Sequence, residues 1–243
     1  MINNNRKSYD AILVDLDGTL IDLDLNKFIP AYVDALAKRF TGRVDHDGFI
    51  RHLLQATLIM VKNRDPHKKN KVVFYEEFCS RIGYTFEEIE PIIDDFYRKD
   101  FPNLSCWGQE LPFARLVVET AQKKNLPLIL ATNPLFPLAA VLHRLTWAGL
   151  NSDDFKLVTT MDNMHYCKPN PEYYLEISQK IDCPPERCLM AGNDTLEDLI
   201  AAEVGMDTFL VEDFILHRAG IEPVSNYRGS LEDLAAFIEN LES

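Results

Sequence analysis

No apolar run in this chain approaches the roughly 18 to 20 residues needed to cross a bilayer. The opening MINNNRKSYD also lacks the apolar stretch of a signal peptide, so a cytoplasmic location is expected, with no membrane partner. Paired cysteines are missing too. The five present, Cys79, Cys106, Cys167, Cys183 and Cys188, are odd in number, scattered and never spaced C-x-x-C, which argues against a disulfide framework and a zinc site. Basic residues are in deficit: 25 Lys and Arg against 38 Asp and Glu leave a net charge of −13. That charge repels nucleic acid, which is therefore not an expected partner. Internal repeats and low-complexity segments are likewise absent.

What is present suits one sizeable core or a core plus an insert, since 47 % of the 243 residues are apolar and 10 % aromatic. Short runs rich in branched residues (AILVD, LPLILAT, FKLVTTM, RCLMAG, DTFLVE) alternate with segments of helical spacing, namely PFARLVVETAQKKN, PLAAVLHRLTWAGL, NPEYYLEISQKI, TLEDLIAAEVG and SLEDLAAFIENL. Asn170 and Ser230 are expected helix caps, with Pro171 at a first helical position. This alternation predicts an α/β fold with a doubly wound parallel sheet. Residues 22–110 break the pattern with four helical stretches and hardly any strand. They read as a small helical domain inserted into a core made of residues 1–21 and 111–243. Asp22–Asp24 reads as the hinge into it. The insert carries 13 basic and 15 acidic residues, a net of −2, while the other 154 residues carry −11.

In an open parallel sheet, ligands bind beyond the carboxyl ends of the strands. Asp15 and Asp17 follow the first strand, Thr132 and Asn133 the second, Lys168 the third and its loop, and Asn193, Asp194 and Asp198 the fourth. Carboxylates crowd together when a cation cancels their repulsion, and a hard divalent ion such as magnesium, with oxygen ligands, is the usual solution. With that ion and Lys168 offsetting charge, Asp15 is placed to attack phosphorus. Asp17, two residues on, is placed to protonate the leaving oxygen and then activate water. Gly18 lets the backbone turn sharply at the phosphate.

The same features resemble the haloacid dehalogenase superfamily: D-x-D-G-T after a first strand, Thr after a second, Lys-Pro before a helix and an acid pair after a later strand, over residues 9 to about 210. The resemblance implies a Rossmann-like core with an α-helical cap between the first and second motifs. Asp15 is then nucleophile and metal ligand, and Asp17 is the general acid/base whose main-chain carbonyl faces the metal. Thr132 and Lys168 would bind the phosphoryl group, helped by backbone N–H groups near Gly18 and Asn133. One departure stands out in AGNDTLED, where many members have Gly-Asp. Asp194 and Asp198 are preferred as the acid pair because a neutral ligand would hold magnesium weakly, and Asn193 is the alternative.

The expected activity is a Mg2+-dependent phosphatase acting on a small phosphorylated metabolite through an aspartyl phosphate. A phosphomutase or a dehalogenase-type hydrolase is the alternative. Nothing decides between monomer and homodimer. Glu197 reads as a surface or cap residue, His52 and His143 as ordinary helix residues. The basic loop VKNRDPHKKNK, residues 61–71, reads as a solvated loop or as a reach toward a second anionic group.

Overall fold

A computed structural model describes residues 8–217 and 223–241, so residues 1–7 of the stretch read for a signal peptide lie outside the described residues. The strands are β1 (Ala11–Val14), β2 (Ile21–Leu23), β3 (Gly108–Glu110), β4 (Leu128–Leu130), β5 (Leu157–Val158), β6 (Cys188–Gly192), β7 (Asp207–Val211) and β8 (Tyr227–Gly229). Six of them form a parallel sheet in the order β5-β4-β1-β6-β7-β8, and β2 pairs with β3 antiparallel.

Alternating side chains give the sheet two apolar faces. Ile12, Val14, Leu128, Leu130, Leu189 and Ala191 belong to one buried cluster, whereas Ala11, Leu13, Ile129, Cys188 and Met190 belong to the other. Helices α5 (Ala114–Lys123), α6 (Leu138–Trp147) and α8 (Leu231–Glu239) supply residues to the first, and α7 (Pro171–Ile181) to the second. From β1 the chain builds outward through β4 to β5, then returns past β1 to build β6, β7 and β8. The reversal sets the carboxyl ends of β1, β4 and β6 side by side, where an α/β sheet forms its ligand crevice.

Four helices lie in sequence between β2 and β3: α1 (Leu25–Lys38), α2 (His46–Lys62), α3 (Asn70–Ile82) and α4 (Phe86–Lys99). Their starts are encoded locally. Asp45 accepts the Gly48 N–H at 2.9 Å, and Thr85 and Glu88 form a capping box. Phe28, Phe49, Phe78, Phe96 and Phe101 are all buried and cement this cap, each contributing roughly 1.5 to 3 kcal/mol relative to exposure. At its far end the cap docks on the core. The Asn70 and Lys71 N–H groups donate to Met164 and Met161 carbonyls at 2.8 and 2.9 Å, and Arg64 pairs with Glu172. The basic loop is thus anchored at these points on residues 161–172, while Lys62, Arg64, Pro66, His67, Lys68 and Lys69 stay exposed, as a solvated loop does.

Three local differences from the sequence reading have physical causes. FKLVTTM yields only a two-residue strand, because Thr159 turns its hydroxyl onto the Leu130 and Thr132 carbonyls at 3.0 and 2.8 Å. TLEDLIAAEVG opens on turns and continues as a 3-10 helix over Leu199–Val204, because the Asp194 carboxylate captures the Leu196 and Glu197 N–H groups, both at 2.9 Å. Asn170 does sit at the start of α7, but its amide donates to the Val61 carbonyl at 2.9 Å instead of capping. Ser230 caps α8 as expected, accepting the Asp233 N–H at 3.1 Å.

Candidate active site

Backbone bonding delivers the first acids to the sheet end. The Asp15 N–H donates to Ala191 O at 2.9 Å, continuing the ladder with β6, and Leu16 O then accepts the Leu20 N–H at 2.9 Å to close a tight turn. Gly18 sits at φ +82°, and a Cβ there would come within 2.3 Å of the Asn193 amide, so only glycine fits. Its N–H donates to Ile21 O at 2.8 Å and is spent on the turn.

Asn193 fastens this turn from below. Its Oδ1 accepts from the Thr19 hydroxyl at 3.1 Å and its Nδ2 donates to Phe214 O at 2.6 Å. Both ends of the amide are engaged by protein.

Lys168, 1 % exposed, donates to Asp15 Oδ1 at 2.8 Å and to Asp198 Oδ1 at 2.6 Å. Burial works against its charge, but the two carboxylates outweigh it and hold the ammonium pKa well above the ordinary lysine value. The other Asp198 oxygen accepts the Asp194 N–H at 2.9 Å. Burial pushes the Asp198 carboxyl up, with Lys168 opposing. Burial likewise raises Asp17, opposed chiefly by Arg144, whose Nη1 is bonded to Asp17 Oδ2.

Thr132 is buried, and its carbonyl is held by the Tyr173 hydroxyl at 2.9 Å and by Thr159. Asn133 donates to Glu197 Oε2 at 2.9 Å and, more weakly, to Lys168 O at 3.4 Å. Glu197 is therefore a member of the site, with burial raising its pKa, not the surface or cap residue its helical position suggested. His143 bonds the Tyr97 carbonyl at 3.1 Å, a packing role in line with an ordinary helix residue.

Arg144 was not singled out by the sequence reading. Its signal is a charged residue on the stripe of Val141 and Leu145 in α6 and Ala148 just past its end, all buried, a position where an arginine needs a partner.

The acids do not gather around one point. Among the described residues, no three His, Cys, Asp or Glu side chains are arranged to hold a metal. Asp198, expected as a ligand, instead has both oxygens bound by Lys168 and by the Asp194 backbone. The other acids at the ends of β1 and β6, Asp15 and Asp194, are oxygen donors that each have at least one carboxylate oxygen hydrogen-bonded by the protein. Magnesium accepts such donors when waters and a phosphate complete the set, so the donor chemistry fits that ion without a carboxylate cage.

A model of the haloacid dehalogenase-like hydrolases matches residues 9–205. The chain belongs to that family. Among curated relatives it is 22 % identical over 195 residues to a bifunctional riboflavin kinase/FMN phosphatase of Arabidopsis thaliana, covering 78 % of this chain and 45 % of that protein. The chain thus spans less than half the length of that relative. Among solved structures, a HAD phosphatase from Thermococcus onnurineus matches with TM-score 0.59 at 20 % identity over 96 % of this chain and 99 % of that one. An L-2-haloacid dehalogenase from Xanthobacter autotrophicus matches with TM-score 0.57 at 15 % identity over 96 % and 100 %. These likenesses show the HAD fold, a Rossmann-like core with a helical cap. Among the described residues, no helix is long and apolar enough to cross a membrane.

Proposed function

We propose that this HAD hydrolase is a magnesium-dependent phosphatase that cleaves a small phosphomonoester through an aspartyl phosphate on Asp15. The observation that carries the reading is the buried ion-paired series Asp15–Lys168–Asp198, with a second, half-buried acid, Asp17, two residues after the first. A carboxylate attacks an anionic phosphorus centre only where positive charge offsets the repulsion. Lys168 supplies that charge from a position fixed by Asp198.

In the first step an Asp15 oxygen forms a bond to phosphorus while the ester P–O bond breaks, and Asp17 passes its proton to the leaving oxygen. In the second, Asp17 takes a proton from water as the water attacks phosphorus and Asp15 departs. The raised pKa of Asp17 favours the protonated form that the first step needs. In this reading Thr132 and a backbone N–H near Asn133 would bind phosphoryl oxygens, the Asn133 amide being engaged on Glu197, and Gly18 contributes the tight turn that leads on from Asp17.

Asp15, Asp194 and the Asp17 main-chain carbonyl would hold magnesium, which neutralises phosphoryl charge when bound. Asp198 aligns Lys168 in this reading. Asn193 is set aside because Thr19 and Phe214 engage its amide. The pairing of β2 with β3, at the two places where the chain enters and leaves the helices, supports a division into a cap of residues 22–110 and a core of residues 1–21 and 111–243.

A dehalogenase has no need of an acid two residues beyond its nucleophile, so Asp17, ion-paired with Arg144, favours the phosphatase. The test is phosphate release from a panel of phosphorylated sugars, nucleotides and short acids, with and without magnesium. Wild type is expected to release phosphate, and Asp15→Asn to lose at least about a thousandfold. Equal release by both overturns the nucleophile, and activity indifferent to a chelator overturns the metal. Halide release from 2-haloacids points to the dehalogenase, and isomer formation without free phosphate to the mutase.

A further inference from the structure

The phosphatase reading leaves Arg144 unexplained. It is 1 % exposed, and only its Nη1 is engaged, on Asp17; among the described residues, Nε and Nη2 have no hydrogen-bond partner. These two nitrogens form one edge of the guanidinium, the planar fork that grips a carboxylate or phosphate with two parallel bonds. A buried donor without a partner is costly and rare in a folded protein, and here a charged group carries two side by side.

The surroundings say which part of a substrate that edge meets. The face of the guanidinium lies over the Phe136 ring, 4.7 Å from its centroid. Its charge also reaches the Tyr32 and Tyr97 hydroxyls, which bond each other at 2.9 Å. Tyr32, Tyr97 and Phe136 line an apolar cavity of about 190 Å³ under the cap. Arg144 thus bonds Asp17, the acid proposed to meet the leaving oxygen, and lays its face on Phe136, a wall of that cavity, whereas Lys168 stands beside Asp15. Asp17 Oδ1, on the acid that would meet the leaving oxygen, is likewise buried and without a hydrogen-bond partner among the described residues.

Resting on the phosphatase reading, we propose that Arg144 is a specificity-determining residue. Its free edge takes a second oxyanion on the leaving group, a carboxylate or second phosphate only a few bonds from the ester oxygen, because Arg144 and that oxygen share Asp17. The substrate class is a short organic phosphate with two anionic ends.

The test pairs each anion-bearing compound with a neutral counterpart. Turnover of 2-phosphoglycolate against ethyl phosphate, and of glycerol 1,3-bisphosphate against glycerol 3-phosphate, separates a carboxylate from a phosphate as the second anion. Calorimetric binding of phosphonoacetate against ethylphosphonate reads recognition without chemistry. Wild type is expected to favour the anion-bearing member of at least one pair by roughly ten- to a hundredfold, mostly in KM. Arg144→Gln should bring that ratio close to one. Arg144→Lys, which keeps a cation and a long stem but lacks the fork, should lose most of the preference and decides the matter if the glutamine variant does not fold.

Equal loss on both members of each pair, confined to kcat, would show that Arg144 only positions Asp17 and would overturn the proposal. So would the lack of any preference in wild type. If no ester is hydrolysed but phosphonoacetate binds in an Arg144-dependent way, the phosphatase reading falls and the oxyanion site stands.

Discussion

Lys168 and Arg144 are each 1 % exposed, yet Lys168 ends on two carboxylates, whereas Arg144 ends on one and, among the described residues, keeps two nitrogens without a hydrogen-bond partner. Lys168 is tied to Asp15, the proposed nucleophile, and lies on the loop that docks the cap. Arg144 is tied instead to Asp17 and packs on Phe136, a wall of the aromatic cavity. A cation satisfied by its own protein serves every substrate alike, while a cation left half-satisfied invites a particular one. On the proposed reading, one end of the site would serve the chemistry common to phosphate transfer, and the other would serve selection.

Removing Lys168 is the strongest way to break this comparison. Lys168→Met leaves Asp15 and Asp198 buried without their shared counter-charge, and loss of one partner from a buried ion pair costs about 3 to 5 kcal/mol. Urea unfolding should show a loss of that size, together with loss of turnover. Adding Asp198→Asn should recover part of the stability and none of the activity. Arg144→Met is expected to cost less, about 2 kcal/mol or below, because the loss of one ion pair is partly offset by relief of two unsatisfied donors. If unfolding shows Arg144→Met to be as costly as Lys168→Met, the two ends are held alike and the contrast fails.

How much of this was legible in the sequence follows the same divide. Lys168 announces itself because it sits at a fixed place in an ordered series, after a strand and before a proline-started helix. The parallel sheet and the four cap helices were legible because their periodicities are strong and uninterrupted. Arg144 lies mid-helix in AAVLHRLTW, where only its position on the buried stripe betrays it, and Glu197 was misplaced because its helical setting hid the Asn133 bond. The short strands β2, β3 and β8, of three residues each, are set by long-range pairing that local pattern does not carry. Among Asn193, Asp194 and Asp198, spacing alone could not choose. Hydrogen bonding separates them, with one fastening a turn, one capturing backbone N–H groups and one holding Lys168.

A smaller effect sharpens the Lys168 end. Asn170, two residues beyond Lys168, bonds Val61 O from a buried position, so cap docking and lysine placement share a loop. Asn170→Ala is expected to cost about 1 kcal/mol. It should also speed hydrogen exchange at the Asn70 and Lys71 amides, which bond the same stretch of core. Unchanged exchange at both amides would separate the docking contact from the Lys168 loop.

The smallest expected effect comes from charges outside the site. Lys99 at 2.8 Å and Arg98 at 2.6 Å, with Arg39 at 3.2 Å, lower the Asp95 carboxyl to about 2. A carboxyl with a depressed folded pKa stabilises the protein above its unfolded value, roughly 3.9, and that contribution is lost as pH falls through the folded value. The window for Asp95 therefore runs from about pH 4 down to about pH 2. Water and salt screen an exposed cluster, so three partners here count for less than one inside the site. Asp95→Asn should lower Tm at neutral pH by about one degree or less, with no difference from wild type near pH 2 or in 1 M salt. A drop of several degrees that survives 1 M salt would place exposed charge on a par with Arg144, and burial would no longer explain why the two ends of the site differ.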